Sequence, residues 1–354
     1  MRHSNNLDVL RTCAVMLVFL NHLMCMLRAQ HAVIDDGAAR FGVILFFVHT
    51  SCVLMGSIQS IRAEGDLWVS RFYLRRLFRL YPLSIGLIFV SILLRAPMKP
   101  WMGLDHAPYS ASTLLSNLLL VQNMTGKTSI IGPLWSLPIE VEMYFVLPLV
   151  FLLIRFKSWR RLIMIWLGAA LFIAGTQNLA ADMLHGAHRF ESLEFVPCFL
   201  AGAMAFGLAR PARPWPSYLW APSLLALIAI GRHYAFEPLV FWSCCLAVAL
   251  LYSRIADLPT NLLTRLCHQI ANYSYGIYLT HIFGLWIFFQ MSGSMLHSVA
   301  LRITGTVLFT AVASVVLFHL VEDPMIRLGK RLTAGLGASS QPAASPAFAS
   351  VPGQ

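Results

Sequence analysis

Residues 7–27 read LDVLRTCAVMLVFLNHLMCML, and this stretch decides the class of the molecule. A helix that crosses a bilayer needs roughly 20 mostly apolar residues, and the stretch supplies them. It also carries Arg11 and His22, although a central Arg costs roughly 2.5 to 3.5 kcal/mol on translocon scales. Ten residues separate the two, which is about 1100° of helical rotation and about 16 Å of rise, so they share one face. Val15 and Val18 lie between them on the same stripe. Asp8, three residues before Arg11, could pair with it.

The rest of the chain follows the same pattern. Hydrophobic residues make up 58% of the 354 and charged residues 12%, against about 45–50% and about 25% in a soluble globular chain. With a mean hydropathy of +0.70, the chain needs lipid as its solvent. Disorder, a disulfide scaffold and a fibrous protein are excluded by the same figures. We expect an all-α, polytopic integral membrane protein with about ten transmembrane helices. The spans fall near 8–27, 41–61, 81–95, 134–154, 161–179, 194–209, 217–231, 238–254, 272–291 and 298–320. The run at 113–121 is too short to cross and reads as an interfacial helix.

The net charge of +11 is mostly an orientation signal. With a cytoplasmic N-terminus, 17 Lys and Arg fall on the inside, 8 outside and Arg11 within the first span. The positive-inside rule then puts both termini in the cytoplasm. Arg11 and His22 interrupt the first apolar run, which reads as a retained signal-anchor. Residues 1–332 form the membrane domain, and the Ala/Ser/Pro-rich stretch 333–354 reads as a disordered cytoplasmic tail. The seven cysteines form no C-x-x-C pair and read as small buried hydrophobes. No internal repeat is visible, which weakens a transporter built on inverted repeats.

Three further clusters carry polar groups. In GPLWSLPIEVEMYFVLPL, residues 132–149, Glu140 and Glu142 point about 200° apart on a helix and cannot share one role. Pro133 and Pro138 suit an irregular helix start at a cavity. In WVSRFYLRRLFRLYPL, residues 68–83, Arg71, Arg75 and Arg79 make one face of a cytoplasmic helix basic. That face suits lipid headgroups or, through the arginine forks, a phosphorylated cytosolic ligand. So little soluble chain argues against nucleic acid. In NYSYGIYLTHI, residues 272–282, Tyr278 and His281 lie on a common face, and VEDP (321–324) closes the last span. His49 and His319 find no role in this reading.

Taken in order, these segments resemble the acyltransferase-3 family of integral membrane acyltransferases, the bacterial surface-glycan O-acetyltransferase type. The resemblance covers about residues 5–332 and accounts for ten spans. It rests on Arg11 and His22, on Phe46-Phe47-Val48, on Arg75, Arg76, Arg79, Tyr81 and Pro82, and on LWSLPIE with Glu140. Ser274, Tyr275, Tyr278, Leu279 and His281, then Glu322 and Pro324, complete it. Two departures stand out: His49-Thr50-Ser51 replaces the usual Ser-Gly pair, and Val141 follows Glu140 where a second acid is usual. No appended esterase-like domain is expected.

The resemblance implies transfer of an acyl group, often acetyl, from cytosolic acyl-CoA to a hydroxyl of a surface glycan, a lipid-linked saccharide or another exported acceptor, in the bacterial inner membrane. His22 is then expected to be the general base, with Glu140 or Tyr278 orienting the imidazole or the acceptor. Arg11, Arg75, Arg76 and Arg79 would bind the phosphates or thioester end of acyl-CoA. No metal is expected, and the oligomeric state is left open. A multi-span transporter or flippase for an anionic solute or glycan precursor is the alternative, since it too would use intramembrane Arg, His and Glu.

Overall fold

Long apolar runs leave the backbone no partner but itself in lipid, and helices are the open-chain solution. The computed structural model describes residues 4–27, 36–97, 109–154, 158–183, 188–208, 211–292 and 296–335. Among these, twelve α-helices follow one another: α1 (Asn5–Met26), α2 (Asp36–Arg62), α3 (Trp68–Leu94), α4 (Ala111–Leu118), α5 (Ser136–Ile154), α6 (Trp159–Met183), α7 (Val196–Gly207), α8 (Trp220–His233), α9 (Pro238–Arg254), α10 (Leu262–Leu285), α11 (Val299–Leu317) and α12 (Asp323–Gly335). The only extended pairing among the described residues is a single bridge between Trp215 and Ile255.

Every one of the ten expected spans coincides with a helix. Six helical segments are long and apolar enough to cross a membrane, namely those built on α1, α2, α3, α5, α6 and α11, and α7 and α9 are shorter apolar helices. The protein is an all-α, multi-pass membrane protein. Its apolar exterior fits: Leu93 is 82% exposed, and Phe145, Phe172 and Leu308 also face outward, as lipid-facing side chains must.

The structure differs from the sequence reading at both ends of this scheme. The basic segment 68–79 is not a separate cytoplasmic helix; it forms the first three turns of α3, which runs unbroken to Leu94 through Pro82. The last span does not stop near 320 but continues through a π-helical turn, Phe318–Glu322, into α12. Helix α12 extends to Gly335, inside the expected tail; residues 336–354 lie outside the described residues. So do Arg2, Arg28, Lys99, Arg155, Lys157 and Arg210 of the charge pattern. The expected interfacial helix is α4, whose eight residues are too few to cross a bilayer.

Helix α2 is the hub, packed against α1, α3, α5, α7, α8 and α9. Small residues let it come close. A Cβ on Gly42 would sit 2.7 Å from the Ala14 carbonyl oxygen of α1, and one on Gly202 of α7 would sit 2.0 Å from that of Val48. The Ser51 hydroxyl donates to the Phe199 carbonyl of α7. Close packing of α2 thus uses its own Gly42 against α1 and a glycine of the opposing helix, Gly202, against α7. Cys52, Cys198, Cys244, Cys245 and Cys267 are buried in the packing.

Helix α1 is held at its start by the loop after α9. Asp257 accepts from the Ser4 hydroxyl (2.8 Å) and from the backbone N–H groups of Asn5 (3.1 Å) and Asn6 (3.0 Å). Two of the backbone donors that a helix N-terminus leaves unpaired find a carboxylate there, which also suits the helix dipole. Helix α1 also packs on α10.

Candidate active site

Packing of α1 on α10 brings His22 and His281 together. Nδ1 of His22 lies 2.8 Å from Nε2 of His281, with the rings parallel to within 6°. Nδ1 of His281 lies 3.1 Å from the Ile277 carbonyl oxygen. A carbonyl only accepts, so in the neutral ring the proton of His281 sits on Nδ1 and its Nε2 is an acceptor. His22 must then donate from Nδ1, which makes Nε2 its basic nitrogen. The tautomer of His22 is set by a residue 259 positions away.

From this pair the site continues as a chain of rings. His281 is 6.4 Å from Tyr278, Tyr278 is 6.1 Å from Phe46, and the Arg11 guanidinium lies 5.4 Å from the Phe46 centroid. Arg11 also donates from Nε to the Ser274 hydroxyl at 2.6 Å. Both ends of the polar stripe on α1 are therefore engaged by α10. Val15 and Val18 between them are buried.

Two cavities meet along this chain. The larger, about 800 Å³, is lined by His22, Asn21, Gln122, Asn123, Trp135 and Tyr278 among others, within the size range of ligand pockets, about 300–1,000 Å³. Its lining carries two acids, Asp36 and Glu194, and two bases, Arg40 and Lys127: Arg40 pairs with Glu194 at 2.8 Å between the rings of Phe195 and Phe236, and Asp36 accepts from the Asn21 amide at 3.3 Å. The smaller cavity is lined by Val43, Phe46, Phe47, Ser136, Leu137, Glu140, Tyr275 and Tyr278. Val43 and Tyr278 border both. The Tyr278 hydroxyl donates to the Pro133 carbonyl at 3.0 Å and lies 2.8 Å from the Ser136 hydroxyl, so it pins the Gly132–Trp135 turn as a wall between them.

Beyond the smaller cavity lies a cluster of buried charges. Glu140 accepts a short hydrogen bond from the Tyr144 hydroxyl. Arg79 interacts electrostatically with Arg11, Arg76, Glu140 and Glu322. Several polar atoms in this cluster are buried without a partner among the described residues: Nε of Arg76, Nδ1 of His49 and Oε1 of Glu322. Buried polar groups are normally satisfied, which sets this cluster apart from the rest of the core.

The sequence-derived candidates thus divide. His22 and Tyr278 stand at the larger cavity. Glu140 faces the smaller one and the arginines, and the residue bonded to Nδ1 of His22 is His281. Arg11, Arg76 and Arg79 converge, whereas Arg75 points elsewhere: it forks onto Glu64 at 3.0 and 2.7 Å and donates from Nε to the Thr333 hydroxyl at 2.9 Å. The forked bond from Arg75 holds the Glu64 carboxyl below the usual carboxylate range, against a small opposing effect of burial. Glu142 accepts from the Asn123 side-chain amide at the larger cavity. Neither the His281 contact nor the position of Glu322 follows from residue spacing. Glu322 is 2% exposed and sits in the π-helical turn, a feature frequent at functional sites.

Residues 4–319 match the family model described as an acyltransferase domain, acyltransferase-3. The chain belongs to that family. The match spans nearly the whole membrane domain, including α1, α2, α3, α5 and α10, which build the site, so the molecule is a membrane acyltransferase. No curated protein and no solved structure matches the chain.

Proposed function

We propose that this acyltransferase moves an acyl group, acetyl foremost, from cytosolic acyl-CoA to a hydroxyl of a surface glycan, a lipid-linked saccharide or another exported acceptor. The observation that carries the reading is the polar stripe of α1. One end, His22, borders a roomy cavity rich in hydrogen-bonding groups; the other, Arg11, belongs to a cluster of arginines about 16 Å along the axis. That offset suits a substrate pair approaching from opposite sides of a membrane.

The acceptor hydroxyl enters the larger cavity and gives its proton to Nε2 of His22 as its oxygen attacks the thioester carbonyl carbon. The C–S bond breaks, the acyl group stays on the acceptor oxygen, and the imidazolium returns the proton to the departing thiolate. His281 holds the ring and accepts from its Nδ1–H throughout. Arg11, Arg76 and Arg79 would meet the phosphates of acyl-CoA, for which guanidinium forks are suited, with Glu140 and Tyr144 holding the cluster's geometry. Tyr278 would steer the thioester past the wall that it forms. Arg75, tied to Glu64 and Thr333, would act at the periphery of this cofactor site.

The family resemblance supports a bacterial inner-membrane location, and the charge pattern supports cytoplasmic termini, on the acyl-CoA side. The test is acyl transfer by the purified protein with His22 replaced by Ala and its amount verified. Transfer at the wild-type rate would overturn the assignment of the base. A flippase, in contrast, would move its solute without releasing CoA thiol.

A further inference from the structure

Asp8 lies three residues before Arg11, within pairing reach on one helix face, yet its carboxylate turns to α10. Nδ1 of His268 lies 2.8 Å from Oδ2 of Asp8. A carboxylate only accepts, so Nδ1 carries the proton of this bond. On the far side of the ring the Asn272 amide nitrogen lies 3.1 Å from Nε2 and donates to it. Arg11 is drawn the other way: its Nε donates to the Ser274 hydroxyl at 2.6 Å, and its guanidinium lies over the Phe46 ring. The Thr12 hydroxyl, donating to the Cys267 carbonyl at 2.9 Å, fixes the register of the two helices between these contacts. Helix α10 thus takes the acid with His268 and the base with Ser274, six residues further on and about 9 Å along its axis. It splits a pair that α1 alone would close. The Asp8 side chain is only 16% exposed and interacts electrostatically with Arg11. Released from His268, its carboxylate would have the guanidinium as a near counter-charge and little water to screen the attraction.

We infer that His268 is a positioning residue for Arg11: by holding the Asp8 carboxylate on α10, it keeps that carboxylate off the guanidinium and leaves Arg11 available to the anionic end of acyl-CoA. This rests on the acyl-transfer reading, in which Arg11 binds the donor, and adds to it a residue that touches no substrate. A carboxylate seated on Arg11 would compete with a phosphate for the same guanidinium fork and would draw the side chain from Phe46 toward the start of α1. Glu140 and Glu322 also act on Arg11, but both are shared with Arg79. A released Asp8 would add a third carboxylate, one turn away on the same helix. His268 therefore acts on donor affinity and not on proton transfer at His22, at the other end of the stripe.

The test is binding of radiolabelled acetyl-CoA to the purified full-length protein in lipid nanodiscs, with release of CoA thiol followed in the same preparation. His268→Ala should raise the acetyl-CoA Kd and KM about tenfold, the worth of about one charge-assisted hydrogen bond, and leave kcat little changed. Adding Asp8→Asn should bring both constants back close to wild type, since an amide carries no charge to set against Arg11. His268→Asn should keep part of the affinity, because its amide N–H can still donate to Asp8. His268→Phe keeps the bulk of the ring without the donor, so the test stands should His268→Ala fail to fold. A Kd unchanged in His268→Ala and His268→Phe, or a loss that Asp8→Asn does not relieve, would overturn the positioning role. The wild type separates the two claims. Acetyl-CoA binding and thiol release that do not respond to His268 reject the role and keep the transferase reading; a wild type that neither binds acetyl-CoA nor releases thiol rejects that reading and the role with it.

Discussion

The two ends of the α1 stripe are built on opposite principles. At His22 the surroundings are close to neutral and the order comes from directed hydrogen bonds: a fixed tautomer, two anchored amides and a neutralised Arg40–Glu194 pair. At Arg11 the surroundings are a knot of charges in which Arg76 and Arg79 face Glu140 and Glu322, and order comes from the field. On the proposed function, the difference divides one site between two tasks. Proton transfer wants one lone pair at one angle, whereas holding a polyanion wants positive charge that can adapt.

Breaking the outer end should cost most. His22→Ala removes the basic nitrogen and should lower kcat for acyl transfer by about 10²–10⁴-fold, the usual worth of a general base, in an assay of labelled acyl transfer at matched protein levels. Breaking the inner end should read out differently. The double change Arg76→Ala and Arg79→Ala removes two charged donors and should raise the acyl-CoA KM by about 10–100-fold, given about 1.5–3 kcal/mol per charged hydrogen bond and part compensation by Arg11. Arg75→Ala should change that KM by less than about fivefold, because its fork already rests on Glu64.

His281→Ala comes next and sharpens the outer end. It deprives the Nδ1–H of His22 of its His281 acceptor and should lower kcat about tenfold, a modest share of general-base catalysis, with part of the loss recovered in His281→Gln, whose side-chain oxygen can accept the same N–H. Equal rates in the two variants would mean that His281 only fills space. The smallest effect belongs to the periphery. The Glu64 carboxyl is held low by Arg75, so its contribution to stability is present above the ordinary carboxylate pKa and is lost as pH falls through the depressed value. Glu64→Gln should therefore lower thermal stability slightly near neutral pH, within about 0–1 kcal/mol for an exposed pair, and make no difference once the carboxyl is protonated.

How much of this was readable in the sequence depends on whether the signal is local. Helix positions were, because each apolar run is its own evidence. The shared face of Arg11 and His22 was, because helical rotation fixes it. The continuity of α3 was not: its basic first turns read as a separate surface helix, yet a helix has no reason to end where only its solvent changes. The division of Arg75 from Arg76 and Arg79 was not either, since it turns on where Glu64 and Thr333 come to lie. His281 shares a face with Tyr278 in the sequence, but its bond to His22 arises only from packing α10 on α1. Gln122 and Asn123 lie in a short polar link where no periodicity speaks, so their place at the larger cavity comes only from the packing.

The central claim is that one protein joins a cytosolic donor to an acceptor on the other side of the membrane. The most direct measurement uses sealed vesicles carrying the protein in a single known orientation, with labelled acetyl-CoA supplied to one face and a methyl glycoside to the other. Acylated glycoside should form only when acetyl-CoA is on the face of the chain termini and the glycoside is opposite, with His22→Ala abolishing it. Transfer that requires both substrates on the same face would contradict it.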